Sequence, residues 1–279
     1  MKKILPLLFC FLLAGIACYP ILFLLTGSLM ADTELSSLLG PVLKGSKGYA
    51  SFRLLPMMPT LKHYAGLLLD SPEFFVMFWN SVKLTAGILA GQVLVGIPAA
   101  WGFAKYRFPL KKAVFTLYIL LMMMPFQVTM LSNYLVLDRL HLLNTHAGII
   151  LPAAFSTFPV FIMYRFFCGV PGSILEAAQI DGAGPLQIFL HIGLPLGSAG
   201  VVSAVVLSFL EYWNLIEQPL TFLQDKRLWP LSLYLPNISL DRAGIAFTAS
   251  VTALFPAVLI FLSGQDYLEQ GIIASAIKE

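Results

Sequence analysis

The sequence predicts an all-α, polytopic membrane protein with about six transmembrane helices, and three observations carry that prediction. Of 279 residues, 58% are hydrophobic and only 11% charged, whereas a soluble domain carries about 25% charged residues. Mean hydropathy is +0.85. The apolar residues gather into runs separated by short polar breaks, and the runs approach the ~20 residues that a helix needs to cross a bilayer. A net charge of +3 is too small to argue for a nucleic-acid partner. Cys10, Cys18 and Cys168 lie in or beside apolar runs without paired or metal-type spacing, so they read as small packing residues.

Taken in order, Lys2-Lys3 and the run from Ile4 to Leu25 have the look of a secretion signal. Gly15-Ile16-Ala17-Cys18 even hints at a lipoprotein cleavage box, but Gly15 stands where a large aliphatic residue belongs. The run continues past Cys18, so it is read as a retained first span. Residues 26–73 are more polar. Pro56, Pro59 and Pro72 break up the stretch around Leu54 to Leu69, which is expected to be an exposed loop with a helix lying at the membrane surface. Phe74 to Trp79 form an aromatic belt, and Leu84 to Ala104 is a second span without formal charge. The following loop, Lys105 to Lys112, carries Lys105, Arg107, Lys111 and Lys112 and no acid, which places it on the cytoplasmic side. Lys44, Lys47, Arg53 and Lys62 count for less because long loops weigh little in that rule.

The third span, Ala113 to Leu131, contains Pro125, which removes one helix hydrogen bond and frees a carbonyl. The fourth runs from Ala147 to Phe167 through Pro152 and Pro159. The fifth, Leu196 to Leu215, opens on Gly197, Ser198, Ala199 and Gly200, small residues that let helices approach closely. After an outer loop at 216–243, a sixth span from Gly244 to Gly264 leads to a tail, Gln265 to Glu279. Parity puts both termini in the cytoplasm. The division expected is a first helix and long extracytoplasmic loop at 1–73, a core at 74–266 and a cytoplasmic tail at 267–279.

Between the fourth and fifth runs lies a polar break that organises the rest. After Pro171-Gly172, Ser173 and Glu176 have capping-box spacing, predicting a helix from Ile174 with Ile174, Ala177, Ala178 and Asp181 on one face. Gly182 suits the left-handed residue that ends such a helix. Pro185 suits the first position of another, and Pro195 marks the entry to the next run.

Glu176-Ala177-Ala178, then Asp181-Gly182-Ala183, then Ile192-x-Leu194-Pro195 resembles, at unbroken spacing, the EAA loop of bacterial ATP-binding-cassette importer permeases. Gly184 stands where Ser is common in that family, and His191 where a basic residue is frequent. The resemblance implies the transmembrane-domain fold of a type I importer, with the loop (173–195) docked in a cleft of a separate ATPase subunit. It makes Glu176 and Asp181 polar contacts to that subunit, Ala177 and Ala178 the close-packed face, and Gly182 the turn. Further stretches resemble the carbohydrate-uptake (maltose-permease-G-like) branch of these permeases. They are Pro59-Thr60-Leu61 with Tyr64, Asn80-Ser81, Phe103 to Pro109, Met124 to Val128, Trp213-Asn214, Gln270 to Ile273 and Ala276 to Lys278. Glu211-Tyr212 departs from the smaller residues expected before Trp213.

What this implies is a permease subunit of a sugar or oligosaccharide importer in the bacterial inner membrane. Its partners are an ATPase subunit that holds ATP and Mg, a second permease, an extracytoplasmic sugar-binding protein and membrane lipid. A same-family permease for a polyamine or peptide is the alternative, and a stand-alone secondary transporter is a further one. The residues themselves argue against an enzyme. No GxxxxGK[ST] loop, HExxH or Gly-x-Ser-x-Gly elbow is present, and the four histidines are scattered. Lys83, Arg165 and Glu211 fall near span edges rather than mid-bilayer. No catalytic or metal-binding residue is assigned. Candidates along a solute pathway are Gln127, Asn133, Glu211, Trp213 and Asn214, because sugars take amide and carboxylate partners and an aromatic face. The same residues also serve as interface anchors or helix–helix bonds.

Overall fold

The computed structural model describes residues 4–43, 53, 55–234 and 242–276. Lys2, Lys3, Lys44, Lys47, the Gly45 to Gly48 stretch and Ile277-Lys278 lie outside them. Among the described residues the regular structure is helical, with one isolated bridge between Met30 and Pro59. The helices are α1 (Ile4–Gly27), α2 (Asp32–Leu43), α3 (Lys62–Asp70), α4 (Pro72–Lys105), α5 (Lys111–Met122), α6 (Phe126–Arg139) and α7 (Ala147–Ala154). They continue as α8 (Thr157–Cys168), α9 (Gly172–Ile180), α10 (Pro185–Ile188), α11 (Leu194–Leu196), α12 (Ser198–Trp213), α13 (Glu217–Phe222) and α14 (Ala243–Ala276). A π-helical turn, Phe189–Gly193, joins α10 to α11.

Among the described residues, four stretches are long and apolar enough to cross a membrane: Pro6–Gly27, Pro72–Lys105, Ala147–Cys168 and Ala243–Glu269. The six expected spans are reached when each of two bent pairs counts as one. The third span is therefore not a straight helix, because α5 and α6 meet at 102° across Met123 to Pro125. Pro125 has no N–H to continue the ladder, and Met123 and Met124 close the first helix by donating to Ile119 O and Leu121 O. The fifth is bent too: Pro185–Leu196 and Ser198–Trp213 diverge by 68° at Gly197. Two further expectations are corrected. Among the described residues of 26–73, α3 stands where a surface helix was expected and α2 is an addition, since Asp32 and Glu34 supply the acidic first turn that favours a helix start there. The outer loop at 216–243 contains α13 and two short 3₁₀ turns.

The described chain forms two compact units. One comprises residues 1–78 and 233–256. Its core is Met30, Leu35 and Leu38, with Phe247 packed on it. Gly27 has no room for a Cβ, which would stand 2.8 Å from the Phe247 ring. The buried carboxylate of Glu34 accepts the backbone N–H groups of Met57 and Met58, and this ties the 55–60 stretch to α2. His63 is buried beside Met30 O at 3.1 Å, with Gly244 against its ring.

The other unit comprises residues 79–232 and 257–279. α12 lies along α8 through its glycines: a Cβ at Gly197 or Gly200 would collide with Phe167 or Phe166. α5 packs on α8 through Phe115 and Tyr164, whose ring centroids are 4.3 Å apart. Ser203 in α12 donates to Tyr267 O of α14 at 2.7 Å, and Gly264 admits Val206. Two polar pins hold the outer loop to α4. The Asn80 amide donates to Arg227 O at 2.7 Å and Trp229 O at 3.1 Å, and Ser81 Oγ accepts from Leu231 N at 2.8 Å. In that loop the Arg227 side chain hydrogen-bonds the Asp225 carboxyl at 2.8 Å and holds it below the usual carboxylate range.

Candidate functional site

Two features of the second unit stand out: the segment from Gly172 to Leu196, and a cleft bordered by α5, α6, α7, α8, α12 and α13.

α9 begins at Gly172 with Pro171 as its N-cap, and no side chain caps it. The predicted box between Ser173 and Glu176 is not formed. Pro171 already has extended backbone (φ −62°, ψ 133°) two residues earlier, which sets the helix start and leaves Ser173 inside it. The C-terminal end follows the prediction. Gly182 has φ +84°. Ala183 N donates to Ala178 O at 2.9 Å and Gly182 N to Gln179 O at 3.1 Å, the paired bonds of a Schellman close. Pro185 then starts α10, and Gln187 Oε1 accepts the Gly184 N–H at 2.9 Å. His191 Nδ1 lies 3.1 Å from Gln187 O within the π turn.

The segment has an inner and an outer side. Leu175, Ala178, Ala183, Phe189 and Leu194 pack against the cluster built on Ile97, Trp101, Met163 and Phe167. Glu176, Ala177, Asp181, Gly182 and Pro195 are exposed, and Ile192 is partly buried. Ala178 thus faces the protein's own core, while Ala177 faces outward. Ile180 is 86% and Leu186 67% exposed, with Ile174 and Leu190 less so. Sequence reasoning had Ile174 but passed over Ile180, Leu186 and Leu190. Their signal was available: large aliphatics within the polar break itself, flanking the Gly182 turn.

The cleft has a volume of about 640 Å³. Its polar lining is Thr129, Asn133, Ser156, Thr157, Glu211, Tyr212 and Gln218. Phe126, Phe155, Phe158 and Phe222 supply aromatic surface. The wall between α7 and α8 is polar because that helix breaks at Phe155-Ser156. Pro152 lies just ahead of the break, and Ala153 O bonds Gln92 Nε2 of α4 at 3.0 Å. Tyr212 is buried and lines the cleft beside Ser156. Of the five pathway candidates, Asn133 and Glu211 line the cleft. Gln127 instead donates to Glu217 Oε1 at 2.6 Å, and Asn214 to Leu210 O at 3.0 Å. Trp213 is buried and stacks on Phe209 at 5.5 Å. Tyr212, Gln218, Ser156 and Thr157 are cleft residues that sequence reasoning missed. Among the described residues no cluster of His, Cys, Asp or Glu has the arrangement of a metal site.

Residues 92–274 match the family described as the inner membrane component of binding-protein-dependent transport systems. The chain belongs to this family. This binding-protein-dependent transport component is 27% identical over 269 residues to an arabinooligosaccharides transport system permease protein of Halalkalibacterium halodurans. That match covers 95% of this chain and 93% of the relative. It is 32% identical to a probable ABC transporter permease protein of Pyrococcus horikoshii, over 82% and 85% of the two chains. An sn-glycerol-3-phosphate transport system permease protein of Salmonella typhi is 29% identical over 75% and 76% of the two chains. Its fold is that of a chain in the crystal structure of a bacterial ABC transporter involved in importing the acidic polysaccharide alginate. The TM-score is 0.80 at 21% identity, over 95% of this chain and 96% of that one. In this transport component, as predicted, the fold is all-α and the class is a membrane permease rather than a soluble protein.

Proposed function

We propose that the protein is a permease subunit of an ATP-driven importer that takes a sugar or oligosaccharide from an extracytoplasmic binding protein. The observation that carries this reading is the outward display of the Gly172 to Leu190 segment. Exposed Ile180 and Leu186 flank the Gly182 turn, with Glu176 and Asp181 exposed alongside. Exposed aliphatics rimmed by carboxylates suit a protein partner. On this reading the partner is the ATPase subunit, and ATP and Mg are held there. Closure of the ATPase dimer moves the docked segment, and the segment moves the helices it is built into. The cleft at Asn133, Glu211 and Tyr212 is this subunit's part of the solute path. Hydroxyl and amide groups beside aromatic surface support a sugar, as do the names of the arabinooligosaccharide relatives. A second permease completes the path, and the segment and both termini lie in the cytoplasm.

Reconstitution of the complex as purified from its membrane tests this. Uptake of labelled arabino-oligosaccharide into proteoliposomes is expected to need both ATP on the segment's side and the binding protein on the other. A chain that purifies alone and transports without ATP contradicts it.

A further inference from the structure

The segment is exposed on one side and seated on the other, and one indole of α4 stands out within that seat. Trp101, near the end of α4, is 5% exposed. It meets Phe167 edge-on at 5.4 Å and Phe189 of the π turn at 5.7 Å. Gly193, the last residue of that turn, lies flat against it. A Cβ there would stand 2.6 Å from both Cη2 and Cζ3 of the indole and 3.1 Å from Cε3. Even a methyl group therefore displaces one of the two partners.

Two other observations bear on the same side chain. Its Nε1–H is buried and has no hydrogen-bond partner among the described residues. An orphaned buried donor weakens the fold, so packing alone favours a phenyl ring at this position. Beside the indole lies a cavity of about 310 Å³, lined by Pro98, Trp101 and Tyr106 on one side and Pro185, Leu186 and Phe189 on the other. The same ring thus touches the backbone of the segment at Gly193 and borders empty space between α4 and α10. That arrangement holds the segment in register with α4 and leaves room for the two to shift together.

We propose that Trp101 is a positioning residue of energy coupling: its indole is a contact through which motion of the segment, applied by Phe189 and Gly193, reaches α4. The proposal rests on the importer reading above and adds a route to it. Contacts this close transmit displacement because a packed interior is nearly incompressible.

The test uses the assembled complex in proteoliposomes and reads one ratio, ATP hydrolysis with the binding protein over hydrolysis without it. Gly193→Ala is expected to reduce that ratio at least fivefold, and Trp101→Phe about threefold. Phenylalanine lacks the outer indole carbons, so the double variant is expected to recover from the Gly193→Ala level to that of Trp101→Phe. Trp101→Phe relieves the same clash in a merely destabilised fold, so thermal melts are taken alongside: a ratio that falls in Gly193→Ala at an unchanged melting temperature marks positioning, and a ratio that falls only in step with the melting temperature overturns the proposal. A stimulated wild type with an equally stimulated Gly193→Ala overturns the proposal, as does a double variant no better than Gly193→Ala. If Gly193→Ala fails to assemble, Trp101→Phe alone decides, and a wild-type ratio overturns the proposal. A wild-type complex without any stimulation by the binding protein overturns the importer reading instead.

Discussion

Gly182 carries the sharpest claim at the scale of single residues. Its φ of +84° is open to glycine, costly for most residues and worst for β-branched ones. No neighbouring atom lies within 4 Å of a Cβ built there, so any effect of substitution comes from the backbone and not from crowding. Gly182→Val is expected to lower binding-protein-stimulated ATP hydrolysis about tenfold while membrane insertion is unchanged. Gly182→Asn, which tolerates the left-handed region, is expected to retain most of it. The two measured side by side in proteoliposomes separate a conformational requirement from a side-chain one. In the cleft, Asn133→Ala and Glu211→Ala are expected to raise the half-saturating sugar concentration several-fold. Trp213→Phe, which changes a buried stack on Phe209, is expected to lower thermal stability instead.

At the scale of elements, α12 depends on close approach to α8. A Cβ at Gly197 would lie 2.2 Å from the Phe167 ring, so Gly197→Val forces the helices apart. Overpacking of this kind costs about 1–3 kcal/mol. The purified protein is expected to unfold several degrees lower, as read from a thermal melt. Elements were also where sequence reading succeeded and failed most clearly. Apolar runs locate helices because lipid leaves the backbone no other local solution, and the Gly182 and Pro185 signals marked real helix ends because each acts through its own backbone. The bends at Met123 to Pro125 and at Gly197 were not legible as angles. Proline and glycine mark a weak point, but the 102° and 68° turns accompany contacts of α5 and α12 with α8 and of α6 with α13, which no local pattern announces. The missing cap at Ser173 has a similar cause, because Pro171 sets the helix start before the serine can.

Across the whole molecule, what was legible follows from how local each signal is. The Gly172 to Leu196 segment is contiguous, so its residues appear together in the chain. The cleft is assembled from α5, α6, α7, α8, α12 and α13, so only Asn133 and Glu211 were picked out. Gln127 was lost to Glu217, a partner 90 residues away that no local pattern announces. The same division separates the outer side of the segment, legible as exposed aliphatics, from its seat on Trp101, which requires the fold. On the proposed function, Ile180 and Leu186 of that outer side anchor a separate ATPase subunit. The measurement that tests it most directly is purification of the tagged chain in mild detergent, followed by mass spectrometry of what accompanies it. With Ile180→Glu and Leu186→Glu together, a second permease is expected to be retained and the ATPase subunit lost. An ATPase retained at the wild-type level by that variant contradicts it.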